Sequence, residues 1–198
     1  MRPTLLLASN SPRRRELLSE AGFDFEIFAP KVVEKFNLDL TLRELTALNA
    51  TRKAMAAARA HSKEIVLAAD TLVAIDNQIL GKPRDAAEAV AMLERLSGRV
   101  HEVCTSVFIC HLARTKATSF SEISRVRFRR LTASAIDHYL ARVNPLDKAG
   151  AYAAQGFGGE IIETIDGSYS NVVGLPMERT VPALADFAIE PNRKPMSV

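Results

Sequence analysis

The 198-residue sequence has little of what marks a secreted, membrane-spanning or DNA-coating protein. Cysteine is scarce: Cys104 and Cys110 are the only two, both inside the apolar segment Val103 to Leu112. Six residues along a strand is roughly 20 Å, too far for a disulfide, so both are expected as buried thiols. His101 and His111 flank them without producing a metal-ligand spacing. Long apolar runs are missing: Ile65 to Ile75 is 11 residues with Asp70 inside it, against about 20 for a membrane span. At the N-terminus, Leu5-Leu6-Leu7-Ala8 is shorter than a signal peptide's apolar stretch, and Arg13-Arg14-Arg15 follows rather than precedes it. A cytoplasmic protein without a membrane partner is expected. An excess of one charge is also lacking. Lys plus Arg is 26 and Asp plus Glu is 23, a net charge of +3, which gives no basic face for nucleic acid. The pI of about 9.0 still leaves acidic small molecules open as partners. No internal repeat or low-complexity segment is present. With 47% hydrophobic and 25% charged residues, the balance is that of one ordinary globular domain. We place that domain at residues 1–189 and expect a flexible tail over 190–198, a polar stretch containing Pro191 and Pro195.

Strand and helix signals alternate, which predicts an α/β class, a mixed sheet with flanking helices. Thr4–Ala8 reads as a buried strand, Ser11-Pro12 as a helix start, Gly22 as its stop, and Phe23–Ala29 as a second strand. Thr41-Leu42-Arg43-Glu44 has capping-box spacing and opens a helix to about Ala60, with Leu45, Leu48, Met55 and Ala58 as its apolar residues. Ile65–Ile75 is a buried strand turned back by Asp76-Asn77-Gln78. A helix from Asp85 to Ser97 follows, then a long hairpin, Val100–Leu112 and Thr118–Phe128. Thr132–Val143 and Met177–Ile189 read as helices, and Ile161–Ile165 as a strand.

Four features carry chemistry. Arg13, Arg14 and Arg15 occupy a first helical turn, where the macrodipole disfavours cations by about 0.3–1 kcal/mol each. A bound phosphate would reverse that sign; salt bridges to Glu16 or Glu20 are the alternative. Asp70 interrupts an apolar strand, where an ionised carboxylate needs a partner, a cation or backbone N–H donors. It lacks the second Asp of haloacid-dehalogenase-type phosphatases, since Leu72 stands two residues on. Lys53, Lys82 in Gly81-Lys82-Pro83, and Lys148 in Asp147-Lys148-Ala149-Gly150 are isolated cations in small or apolar surroundings; each reads either as a solvated lysine or as an anion ligand. Gln155-Gly156-Phe157-Gly158-Gly159 is neither a Walker loop nor a dinucleotide fingerprint, but an amide on a Gly-rich turn can hold a base edge.

Together these residues resemble one family. Leu6 to Leu18 with Ser9-Asn10-Ser11-Pro12-Arg13-Arg14-Arg15, Ala69-Asp70-Thr71, Gly81-Lys82-Pro83, Met92-Leu93 to Gly98 with His101, Asp147 to Tyr152, Gln155-Gly156, Gly167-Ser168-Tyr169 and Val172 to Pro176 match, in order, the Maf family of nucleoside triphosphate pyrophosphatases, first associated with septum formation. The resemblance implies an inosine triphosphatase-like fold, a mixed sheet with helices around a cleft. It implies hydrolysis to nucleoside monophosphate and pyrophosphate with a divalent cation, Mg²⁺ or Mn²⁺. Lys148 and Gln155 resemble the dTTP/UTP branch rather than the 7-methyl-GTP branch. By position, the catalytic acid maps to Asp70 and the specificity positions to Arg13, Thr71 and Gln155. Glu34 and Asp70 would hold the metal. Ser9, Arg13, Lys53, Lys82 and Lys148 would bind phosphate oxygens. Val33 stands where the family has an acid before Glu34, and Ser124 where its hairpin has Thr. Relatives imply a homodimer, although no apolar stripe in the sequence shows one. The rival readings are a pyrophosphatase for 7-methyl-GTP or another modified nucleotide, and a non-catalytic nucleotide-binding regulator of division.

Overall fold

In the computed structural model, which describes residues 4–36 and 39–192, the strands are β1 (Leu5–Leu7), β2 (Glu26–Ile27), β3 (Ile65–Ile75), β4 (Gln78–Leu80), β5 (Val100–His111), β6 (Lys116–Phe128) and β7 (Ile162–Asp166). They form one mixed sheet in the order β2-β1-β3-β5-β6-β7, with β4 paired to β3. β1 runs parallel to β2 and β3, and the other pairs are antiparallel. The helices are α1 (Pro12–Glu20), α2 (Leu42–Ala60), α3 (Ala86–Leu96), α4 (Ala133–Leu140), α5 (Gly158–Ile161), α6 (Tyr169–Val173) and α7 (Met177–Ala185). The expected α/β class, a mixed sheet with flanking helices, is what the chain adopts.

Alternation along β3 sorts its side chains between two faces. Val66 and Ala68 pack with Ala54, Ala57 and Ala58 of α2. Ile65, Leu67 and Ala69 pack on the other face with Leu18, Leu184 and Phe187. Further along that second face, Val73, Val103 and Val126 meet Leu93 and Leu96 of α3 and Ile136 and Tyr139 of α4. The buried side of α2 is made of alanines together with Leu45, Thr46 and Asn49. Leu48, expected on it, is 39% exposed. Small side chains let the helix lie close to the sheet, and Thr46 Oγ1 bonds Ser106 Oγ of β5 at 2.6 Å.

Local signals set the boundaries. The capping box at Thr41 and Glu44 is formed. The Asp85 side chain accepts from Glu88 N–H at 2.8 Å. Asp76 and Asn77 both have positive φ, the conformation a two-residue hairpin turn requires. Four expectations change. The helix expected over Thr132–Val143 ends at Leu140. The second strand shrinks to Glu26–Ile27. The helix at Tyr169–Val173, capped by the Ser168 side chain, was not foreseen. The last helix ends at Ala185 rather than Ile189, with Pro182 inside it. The two cysteines are buried free thiols, as expected. Residues 193–198 of the expected tail lie outside the described residues, and Asn192 N–H bonds Gly22 O at 2.9 Å. No helix among the described residues is long and apolar enough to cross a membrane.

Candidate active site

The site begins with a gap in the sheet. Along one edge of β3, β1 pairs as far as Leu67 and β4 starts at Val73. Residues 68–72 therefore have a strand neighbour only on the β5 side. The open edge faces a cleft of about 1010 Å³ lined by Ser9, Arg13, Arg14, Glu34, Lys53, Asp70, Thr71, Lys82, Asp147 and Lys148, among others. Being consecutive, Asp70 and Thr71 point to opposite faces of the strand, Asp70 toward α2 and Thr71 toward α1.

Asp70 is 4% exposed. Lys53, one turn along α2 from Asn49, puts its Nζ 2.6 Å from Asp70 Oδ1 and 2.6 Å from Glu34 Oε1. Lys82 Nζ lies 3.5 Å from Glu34 Oε2. Asn49 donates to Asp70 Oδ2 at 3.4 Å, donates to Lys35 O at 3.0 Å and accepts from Lys35 N–H at 2.8 Å. It thereby ties the segment carrying Glu34 to the helix carrying Lys53. Burial pushes the Asp70 carboxyl above the ordinary carboxylate range; Lys53 and Arg14 pull it back, while Glu34 adds to the rise. Burial also works to raise Glu34, but Lys53 and Lys82 outweigh it and hold that carboxyl below its ordinary value. The strand carboxylate thus takes the first of its expected needs, a cationic partner.

The opposite wall is organised by Arg14. It is the buried member of the arginine triplet, at 8% exposed. Its Nε donates to Gly174 O at 2.8 Å, Nη1 to Ser9 Oγ at 3.1 Å and Nη2 to Thr71 Oγ1 at 3.0 Å. Gly174 has φ of 126°, and a Cβ there would sit 3.4 Å from Thr71 Oγ1; glycine lets the backbone close on this pair. Arg13 reaches Asp147, with Nη1 3.2 Å from Oδ2. Lys148 Nζ binds the same carboxylate at 2.5 Å. Burial works to raise Asp147, but Lys148 and Arg13 lower it below its ordinary value. Arg15 is exposed. Neither Glu16 nor Glu20 pairs with an arginine of the triplet among the ion pairs of the described residues.

The structure therefore brings together Ser9, Arg13, Glu34, Lys53, Asp70, Thr71, Lys82 and Lys148. Gln155 stands apart: its neighbour Ala154 lines the cleft and Gln155 does not, its amide donating to Glu16 at 3.4 Å. Sequence reasoning missed Asn49, and named Arg14 only within the triplet and Asp147 only within the Lys148 motif, giving neither a site role. The capping-box register of α2, which puts Asn49 one turn before Lys53, was a usable signal for Asn49. Seven Lys or Arg and four Asp or Glu line the cleft, an excess of three that matches the net charge of the whole chain. Glu34 and Asp70 converge on one ammonium, so they are near enough to share a single hard cation, and carboxylate oxygens are the donors Mg²⁺ or Mn²⁺ takes. No group of three or more Asp, Glu, His or Cys among the described residues could hold a metal alone. Mg²⁺ typically uses one or two carboxylates and fills its shell with substrate oxygens and water.

The sequence model of a family described as Maf-like protein matches residues 4–187. The chain belongs to the Maf family. Among Maf-family relatives, a dTTP/UTP pyrophosphatase of Bacillus pumilus is 44% identical over 187 residues, 94% of this chain and 98% of that protein. One from Bacillus cytotoxicus is 45% identical over 182 residues, 92% of this chain and 94% of that protein. Of solved structures, the Staphylococcus aureus Ham1 protein aligns over 93% of this chain and 97% of its own, at 16% identity and a TM-score of 0.47.

Proposed function

We propose that this chain hydrolyses dTTP and UTP to the nucleoside monophosphate and pyrophosphate by attack of water on the α-phosphorus, within one domain ending near residue 189. One observation carries the reading: a buried carboxylate, Asp70, lies on a stretch of the central strand β3 left open between β1 and β4, at the floor of a cleft whose cations outnumber its acids. Cleaving a phosphoanhydride needs no protein nucleophile. It needs a placed water, a base, and opposite charge around the triphosphate. Asp70 is the base, and burial raises its proton affinity. Lys53 and Asn49 fix its two oxygens. A divalent cation held by Glu34 and Asp70 would supply charge neutralisation and polarise the water. Arg13, Lys82, Lys148 and Ser9 take phosphate oxygens, Arg13 and Lys148 exchanging Asp147 for substrate. Thr71 and Arg13 read the base; Gln155, beside the lining residue Ala154, joins them only by releasing Glu16. The names of the curated relatives support the dTTP/UTP branch over the 7-methyl-GTP branch.

The test is pyrophosphate release by the purified protein from dTTP, UTP, CTP and 7-methyl-GTP, with Mg²⁺ or Mn²⁺. The expected outcome is fastest release from dTTP and UTP. Fastest release from 7-methyl-GTP would assign the other branch, and none from any nucleotide would leave a nucleotide-binding regulator.

A further inference from the structure

We infer that Thr105, a residue buried outside the cleft, orients the Thr71 hydroxyl so that Thr71 offers the cleft only an acceptor, which reads the imide N–H that uracil and thymine share. The inference rests on the pyrimidine triphosphate reading above and adds the polarity of one contact and the residue that sets it.

A threonine hydroxyl has one hydrogen and two lone pairs. Thr105 is fully buried. Its Oγ1 lies 2.9 Å from Asn171 O, a carbonyl that can only accept, so the Thr105 hydrogen is committed there. Asn171 is itself held rigidly: its Oδ1 accepts from Thr105 N–H at 3.0 Å, and its Nδ2 donates to Val103 O at 3.0 Å and Ser124 Oγ at 2.9 Å. The 2.9 Å contact between Thr71 and Thr105 must then run from Thr71 to Thr105. Arg14 Nη2, 3.0 Å away, can only donate to Thr71. Thr71 has given away its hydrogen and one lone pair. One lone pair remains, on a residue that lines the cleft.

Ser9 comes out opposite. Its Oγ accepts from Ser11 N–H at 3.2 Å and from Arg14 Nη1 at 3.1 Å. Both lone pairs are taken, so its hydrogen is what it offers. One guanidinium thus holds two cleft hydroxyls of opposite polarity. The donor at Ser9 suits a phosphate oxygen. The acceptor at Thr71 is repelled by phosphate and needs a donor on the nucleoside. The imide N–H of uracil and thymine is such a donor, and cytosine presents a lone pair at the same ring position. Sites that leave a polar group unpaired reject the wrong ligand far better than sites that merely fail to fill space.

The experiment compares kcat/KM for UTP and CTP in the wild type, Thr105→Val and Thr105→Ser. The wild type is expected to prefer UTP. Thr105→Val removes the acceptor that holds the Thr71 hydrogen, letting that hydroxyl turn and donate to cytosine. The UTP-to-CTP ratio is expected to fall on the order of tenfold, a single hydrogen bond's worth. Thr105→Ser is expected to restore it. A ratio is unaffected by how much of a sample is folded, so general destabilisation does not imitate the effect. Should Thr105→Val fail to fold, Thr71→Val on the cleft wall reads the same ratio, and a collapse there is the expected result. An unchanged ratio in the Val variant overturns the inference, as does an equal loss in Thr105→Ser. A change confined to UTP against dUTP also overturns it, because the acceptor then meets the sugar. If the wild type releases no pyrophosphate from UTP or dTTP, the underlying functional reading has failed; if it does and the Val variant leaves the ratio alone, only this inference has.

Discussion

Asp70 is ionisable where ionisation is unfavourable, and that gives it a distinctive mutational signature. Its carboxyl is raised by burial, with Lys53 and Arg14 only partly opposing. A carboxyl whose folded value exceeds its unfolded one contributes most to stability at low pH, and that contribution is lost as pH rises through the folded value. Asp70→Asn fixes the uncharged form, so at neutral pH thermal unfolding should show a Tm equal to or above wild type. Pyrophosphate release should meanwhile drop by about 10²–10⁴. A variant that loses Tm in step with activity would make Asp70 structural instead. The arginine triplet divides in the same way. Arg14→Ala strands Ser9, Thr71 and Gly174 O, and urea unfolding should show a loss of about 2–3 kcal/mol. Arg13→Ala removes an exposed pair with Asp147, worth at most about 1 kcal/mol, and should raise KM for triphosphate about tenfold or more. Arg15→Ala should change neither. If Arg13→Ala and Arg15→Ala behave alike, the helix supplies only a diffuse field. Sequence reading flagged the triplet and gave a site role to Arg13 alone. Which of three adjacent cations is swallowed depends on where Gly174 and Thr71 arrive from distant parts of the chain, and no local pattern carries that. Gln155 fails to line the cleft for the same reason: its loop position depends on packing near Glu16.

At the scale of elements, legibility follows the range of the interactions. The α2 capping box, the Asp85 cap, the Asp76-Asn77 turn and the long β5–β6 hairpin are local devices, and each is where its residues place it. The sheet order, with β1 parallel to β3 across 60 residues of sequence, is nonlocal, and so is the gap at residues 68–72 that opens the cleft. α6 escaped notice because five residues give too few turns for a periodicity. β5 also carries an element-level test. His101 is 2% exposed, its Nε2 lies 2.7 Å from Tyr152 Oη, and its ring packs edge-on against Phe128. Its Nδ1 has no hydrogen-bond partner among the described residues. Burial lowers its pKa from 6.5 to about 4. Because the unfolded chain takes up this proton first, the stability held by neutral His101 is full above pH 6.5 and is lost as pH falls toward 4. The loss should amount to about 3 kcal/mol across that window. Urea midpoints measured at steps from pH 7 to pH 4 check this, with His101→Gln expected to give a flatter curve. An equally steep curve for the variant would assign the pH dependence to other groups.

Over the whole molecule, the small net charge is more informative than its size implies. The cleft's excess of three cations equals the chain's entire net charge, so the rest of the sequence sums to zero and the cleft face carries a local positive excess. A nucleoside triphosphate, carrying several negative charges at neutral pH, is drawn toward that face over a distance set by salt, about 10 Å at 0.1 M. Within the cleft the cations are not free. Glu34 holds Lys53 and Lys82, and Asp147 holds Arg13 and Lys148. Binding is therefore an exchange in which a polyanion displaces or joins resident carboxylates, and only the excess acts at long range. This separates two kinetic quantities. Capture, read by kcat/KM, should fall several-fold as monovalent salt is raised from about 0.02 to about 0.2 M at constant divalent cation, because the attracting field is screened. Turnover at saturation, read by kcat, should move little, because Asp70, Lys53 and Asn49 sit in buried contacts that salt screens weakly. Neutralising one resident counter-carboxylate, Asp147→Asn, should raise kcat/KM at low salt and steepen its salt dependence, since the excess grows from three to four. A kcat/KM indifferent to salt in both proteins would mean that the carboxylates cancel the cations completely before substrate arrives, and that recognition begins only on contact.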